Sequence, residues 1–136
     1  MQRTALRRVA VTALALAALG GGALAGAGSA SAATEKNGYV ETNEFGLYYS
    51  PDRGGAVFDL YLEDDNFSND WFHGPGNGTG QSVNDNTASY WNNDLYTWLV
   101  YTDAYRGGIQ GSLPAGHIGN ASGDFRNKIS SAYVKF

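Results

Sequence analysis

Asn84-Asp85-Asn86-Thr87-Ala88-Ser89 packs amide, carboxylate and hydroxyl oxygens into one short run directly ahead of the apolar pair Tyr90-Trp91. Calcium takes about six to eight hard oxygen ligands, which such side chains and backbone carbonyls supply together. A weaker copy, Arg126-Asn127-Lys128-Ile129-Ser130-Ser131, lies close to the last residue, Phe136. With Asn86 laid on Asn127 and Ser89 on Ser130, the copies stand 41 residues apart, a spacing that signals an internal repeat. The same residue types also have a reading without an ion, because Asn, Asp and Ser hydrogen-bond nearby backbone and start turns.

The elements around these runs repeat as well. Phe45-Gly46-Leu47-Tyr48-Tyr49 has β character, Ser50-Pro51-Asp52-Arg53-Gly54-Gly55 turns it, and residues 56–62 alternate as a half-buried strand. That strand places Val57, Asp59 and Tyr61 on one face and Ala56, Phe58, Leu60 and Leu62 on the other. Residues 95–101, rich in aromatic and β-branched side chains, form the strongest strand and are followed by a turn that again ends in Arg-Gly-Gly at 106–108. Residues 63–80 are glycine-rich and irregular, a long loop anchored by Trp71-Phe72, and residues 33–44 read as a loose polar lead-in. Residues 90–91 and 129–134 supply further strands, and no helical period occurs. Four strands per half, over about 37–93 and 94–136, predict an all-β sandwich of two Greek keys.

Residues 1–32 read as a secretory signal peptide: Arg3, Arg7 and Arg8 precede an apolar run, and Ala30-Ser31-Ala32 offers a cleavage site. A secreted, extracellular protein of one domain, 33–136, is expected, with no membrane attachment after cleavage. Of the nine Lys and Arg, three lie in the leader, leaving six against thirteen Asp and Glu, a net charge near −7. Such a surface repels nucleic acid and anionic lipid. The chain has no cysteine, which excludes thiol catalysis and zinc-thiolate sites and leaves stability to packing.

Catalysis is not expected. His73 and His117 are the only histidines, both among glycines, and no strand-turn-helix nucleophile elbow accompanies the many serines and acids. Glu63, Asp64 and Asp65 read as surface charge rather than a glycosidase pair.

The paired motifs resemble the βγ-crystallin Greek-key domains. More narrowly, Asn37-Gly38, then Glu44-Phe45-Gly46-Leu47-Tyr48-Tyr49, Gly74-Pro75-Gly76-Asn77-Gly78 and residues 83–89 resemble secreted actinobacterial proteins of peptidase inhibitor family I-thirty-six, the Streptomyces metalloproteinase inhibitor family. The resemblance implies a βγ-crystallin-like double Greek-key β-sandwich and an extracellular protease as partner, bound by a monomer through a rigid loop. The loops expected for that role are 63–80, with Trp71, Phe72 and His73, and 113–124. It also implies cysteines near Val40, Gly46, Asp70 and Ser82, which this chain replaces, and no disulfide-supported loop is visible in the second half.

For calcium, the resemblance implies a set in which each motif completes the other: Asp85, Asn86, the Thr87 carbonyl and Ser89, with Asn127, the Lys128 carbonyl and Ser130. Arg126 opposes an ion in the second copy by about 3 kcal/mol per unit charge at roughly 5 Å, so one weakly bound calcium is expected rather than two. Two further readings stand beside inhibition: a calcium-binding structural module at the cell surface, and a carbohydrate or cell-wall binding module that stacks sugars on Trp71.

Overall fold

The structure is a computed structural model and describes residues 35–136; the expected leader lies outside the described residues. Seven strands form two antiparallel sheets: β1 (Glu44–Ser50), β2 (Gly54–Leu60), β3 (Ser89–Asn93), β4 (Thr97–Tyr101), β5 (Gln110–Leu113), β6 (Ile118–Asn120) and β7 (Ser131–Lys135). One sheet runs β2-β1-β3-β6 and the other β5-β4-β7. The double Greek key interlocks its halves. β6, from the second half, closes the first sheet by pairing with β3, while Asp64, from the first half, bridges to Ala132 on β7. The expected third strand of the first half is thus reduced to a bridge, since Asp64-Asp65-Asn66 offers no apolar alternation to extend it.

The two hairpin turns share one backbone. Asp52, Arg53 and Gly55 have φ of 57, 57 and 74°, and Tyr105, Arg106 and Gly108 have 55, 63 and 74°. Glycine ends each turn because a side chain is strained there, and a Cβ on Gly55 would stand 2.7 Å from the Asn77 carbonyl oxygen. The Arg-Gly-Gly repeat therefore reports a shared conformation.

Phe45 of β1 stacks on Trp98 of β4, ring centroids 4.7 Å apart, and both are wholly buried. Around them Leu47, Phe58, Leu60, Phe67, Phe72, Val83, Ile129 and Val134 close a core drawn from both halves. The loop 63–80 is held to it by Phe67 and Phe72, and Phe67 packs edge-on against Phe58 at 5.1 Å.

Two expectations are corrected. β2 is buried on both faces, Val57 and Asp59 included, because the lead-in is not loose but lies over it. The Glu35 carboxylate accepts from the amides of Tyr61 and Leu62, and Asp59 accepts from those of Asn37 and Gly38. Lys36 pairs with Asp64 and Asp70, each at 3.0 Å. Burial and the neighbouring Asp64 raise the Asp70 carboxyl to about 6 in spite of that lysine. The second correction concerns residues 95–101: the strand begins only at Thr97 and leaves Leu95 outside it.

The places where the resemblance implies cysteines do face each other. A Cβ on Gly46 would collide with a Val40 methyl group, and Trp71 bridges to Ser82. The double variant V40C/G46C is therefore expected to oxidise to a disulfide and gain about 2 kcal/mol from the short loop it closes. Thermal melting with and without reductant checks this: a midpoint that reductant leaves unmoved contradicts the geometry. Gly46→Ala alone is expected to lower the midpoint, since Val40 must give way.

Candidate functional site

The oxygen-rich runs meet across the pseudo-twofold axis that relates the halves. Asp85 donates its backbone N–H to the Ile129 carbonyl at 3.2 Å, and Asn127 donates its own to the Thr87 carbonyl at 2.8 Å. Asp85 and Asn127 both take left-handed backbone, with φ of 62 and 59°. Ser89 pairs with Tyr48 and donates its hydroxyl to the Ser50 carbonyl; Ser131 pairs with Tyr101 and donates to the Asp103 carbonyl. Ser89 thus corresponds to Ser131, and the copies register one residue later than the sequence match of Ser89 with Ser130.

This shift changes which oxygens converge. Ser130 donates to the Asp85 carboxylate at 2.9 Å and lies 3.4 Å from the Lys128 carbonyl, so these groups from both copies share one spot. In the twofold-related spot Ala88 stands where Ser130 does, and the hydroxyl is missing. Asn86 turns its amide away to the Ser82 carbonyl at 2.8 Å. Thr87 is wholly buried, with its hydroxyl unpartnered among the described residues. The Ser89 hydroxyl is taken up by the hairpin, since it also accepts from the Arg53 amide at 2.9 Å. The donor types around Asp85, Lys128 and Ser130 suit calcium but supply only part of the about six to eight oxygens it takes; the other set does not suit it.

The loop residues expected to meet a partner divide. Trp71 is 53% exposed, with its ring tilted toward His73 at 6.3 Å. Phe72 is buried and cannot touch a partner. His73 is half-buried and pairs its backbone with Val57, and His117 stacks on Tyr90 at 5.6 Å. Residues 113–124 are not one open loop, because β6 lies in their middle, although Ile118 remains 48% exposed.

Sequence reasoning gave no functional role to the turn between β3 and β4, Asn92-Asn93-Asp94. Asn92 is wholly buried; its side-chain amide reaches the carbonyls of Tyr96, Leu113 and Pro114 at 2.9, 2.8 and 3.1 Å, and its oxygen accepts from the Asp94 amide. Asp94, also buried, accepts from the Leu95 amide at 2.7 Å and from the Trp98 indole N–H at 2.8 Å. Tyr96 packs against Phe136 at 4.1 Å. Leu95, between two inward-facing neighbours, stands 78% exposed. The signal was Asn92-Asn93-Asp94, three turn-forming side chains in a row ahead of an aliphatic residue that carries no turn preference.

A third cluster joins the lead-in to the first hairpin. Glu41, Glu44 and Asp59 each bring a carboxylate oxygen within 4.8 Å of the others. Burial, then hydrogen bonds with Glu41 and Asp59, raises the Glu44 carboxyl to about 10.

No helix among the described residues is long and apolar enough to cross a membrane. In structure the chain is similar to a protein solved in a study titled "Evolution of the eye lens beta-gamma-crystallin domain fold", with a TM-score of 0.56, 16% identity, and 73% of this chain and 91% of that one covered. It is also similar to a βγ-crystallin from Ciona intestinalis (TM-score 0.53, 19% identity, 68% and 99% covered). A βγ-crystallin from an archaeon gives a TM-score of 0.52 at 20% identity, with 70% and 100% covered. No curated protein matches in sequence. The sequence profile of peptidase inhibitor family I36 matches residues 33–113, more than half of the chain. With that match over the first half and the hairpin that opens the second, and a βγ-crystallin fold beneath it, the chain belongs to this peptidase inhibitor family.

Proposed function

We propose that the protein is secreted and inhibits an extracellular metalloprotease by presenting the β3–β4 turn, with Leu95 as the side chain that enters the enzyme. The observation that carries this reading is the combination of an exposed leucine with a turn braced from within by Asn92, Asp94 and Tyr96. A loop already fixed in one conformation loses little entropy on docking, and a large aliphatic side chain at its tip fits an apolar specificity pocket. The bracing also opposes cleavage, since a cut turn stays held by Asn92, Asp94 and Trp98 and its new ends remain in place. This is a binding role, and no group in the turn performs catalysis.

Micromolar protein is expected to inhibit a thermolysin-type enzyme and to be recovered intact, whereas L95D loses inhibition with an unchanged melting midpoint. Absence of inhibition in the wild type, or full inhibition by L95D, rejects the reading for that protease class. N92A strands buried carbonyls and is expected to cost about 1–3 kcal/mol. If the folded variant is then cut at the turn while the wild type is not, the bracing is what separates inhibitor from substrate. W71A is expected to inhibit as well as the wild type.

A calcium-binding role has one observation in its favour, the convergence of Asp85, Ser130 and the Lys128 carbonyl. If calcium sits there, millimolar calcium moves the amide NMR signals of residues 127–131, and D85N abolishes that movement. Signals that stay fixed at these residues rule the ion out of this spot.

A further inference from the structure

Glu44 opens β1 and is 1% exposed; Asp59 on β2 is wholly buried; Glu41, in the lead-in, closes the cluster from the solvent side. Their ligand-type oxygens lie within 4.8 Å of one another, and the spot is apart from Asp85 and Ser130. The surrounding backbone orients them. Asp59 accepts from the amides of Asn37 at 3.1 Å and Gly38 at 2.9 Å, and Glu41 accepts from the Asn37 side-chain amide at 3.1 Å. The Asn93 side chain and the Glu44 backbone N–H hold the Glu41 carbonyl.

Within this arrangement Oε1 of Glu44 is shielded from solvent and meets no donor. Its carboxyl group faces those of Glu41 and Asp59. No ion pair among the described residues reaches the three acids; Lys36 is spent on Asp64 and Asp70. A buried carboxylate without a donor or counter-charge is disfavoured by several kcal/mol. The cluster therefore lacks a positive charge at the point where its orphan oxygen faces.

We propose that Glu41, Glu44 and Asp59 form a site for one calcium ion that ties the lead-in to the first hairpin. An all-carboxylate set selects a hard cation over zinc or copper. Calcium accepts mono- or bidentate carboxylates in irregular geometry and completes its shell with carbonyls or water from the open Glu41 side, whereas magnesium demands near-octahedral ligation. Binding also explains why the acids sit together: one ion clips the three segments that carry them.

The test is isothermal titration of the full mature chain with calcium chloride after chelator treatment. It is run on D85N, so that the spot near Ser130 cannot contribute. One calcium is expected to bind. In the same D85N chain, added E44Q is expected to weaken binding at least tenfold while the ion-free midpoint stays equal or rises, since glutamine resembles the protonated acid. E41Q, at an exposed position that cannot endanger folding, is expected to weaken binding too. No heat in D85N with millimolar calcium overturns the proposal and leaves a shared proton as the occupant. Unchanged affinity in both E44Q and E41Q overturns it as well.

Discussion

The stack of Phe45 on Trp98 is the contact on which the two halves and the exposed turn all depend. Trp98 brings an indole N–H into a core that offers it no water, and a buried donor left unpaired costs roughly 1–3 kcal/mol. Asp94 meets that requirement at 2.8 Å, and doing so draws the residue after β3 inward. With Asp94 turned in, Asn92 reaching the carbonyls on the far side of the turn and Tyr96 against Phe136, Leu95 is the apolar side chain left to turn outward. The exposed leucine is thus a consequence of satisfying a core tryptophan. The proposed recognition element and the stability of the core share the same atoms there.

The parts of the fold that were legible in the sequence are those with dense periodic signals. β1, β2, β4 and β7 carry aromatic and branched side chains in the places strands need them. β5 and β6 were not legible, since Gln-Gly-Ser-Leu and Ile-Gly-Asn hold little apolar pattern. They exist because the partner strands demand them. A Cβ on Gly119 would stand 2.7 Å from the Tyr90 hydroxyl, so the glycine, which reads like loop punctuation, leaves room for the Tyr90 side chain where β6 pairs with β3. Interlocking of the halves is equally invisible locally, because it depends on which sheet edge is free and not on any one segment.

At the repeated runs the sequence misled by one position. Two adjacent serines, Ser130 and Ser131, allow two alignments, and matching Asn86 to Asn127 favours the one in which Ser89 meets Ser130. The structure chooses the other, since the serine that must point beneath the hairpin to hold a carbonyl is the first residue of the strand, Ser89 or Ser131. A slip of one residue exchanges the faces of a strand. It moves Ala88 into the place of the missing hydroxyl and joins Asp85 to Ser130, so the oxygens that converge come from both copies and neither copy alone displays them.

The lead-in was misread for a related reason: its polar residues look solvated until their partners on β2 are known. A cysteine-free chain must hold this segment without covalent links, and it does so with charges. Charges serve only when each is neutralised in place. Glu35 is met by two backbone amides, and Asp64 and Asp70 share Lys36. Glu44 is buried beside Asp59 and Glu41, and burial with those neighbouring acids pushes its carboxyl well above the ordinary carboxylate range. Polar stapling of this kind leaves the segment's attachment dependent on what occupies that spot, a dependence that a disulfide between the positions of Val40 and Gly46 would not have.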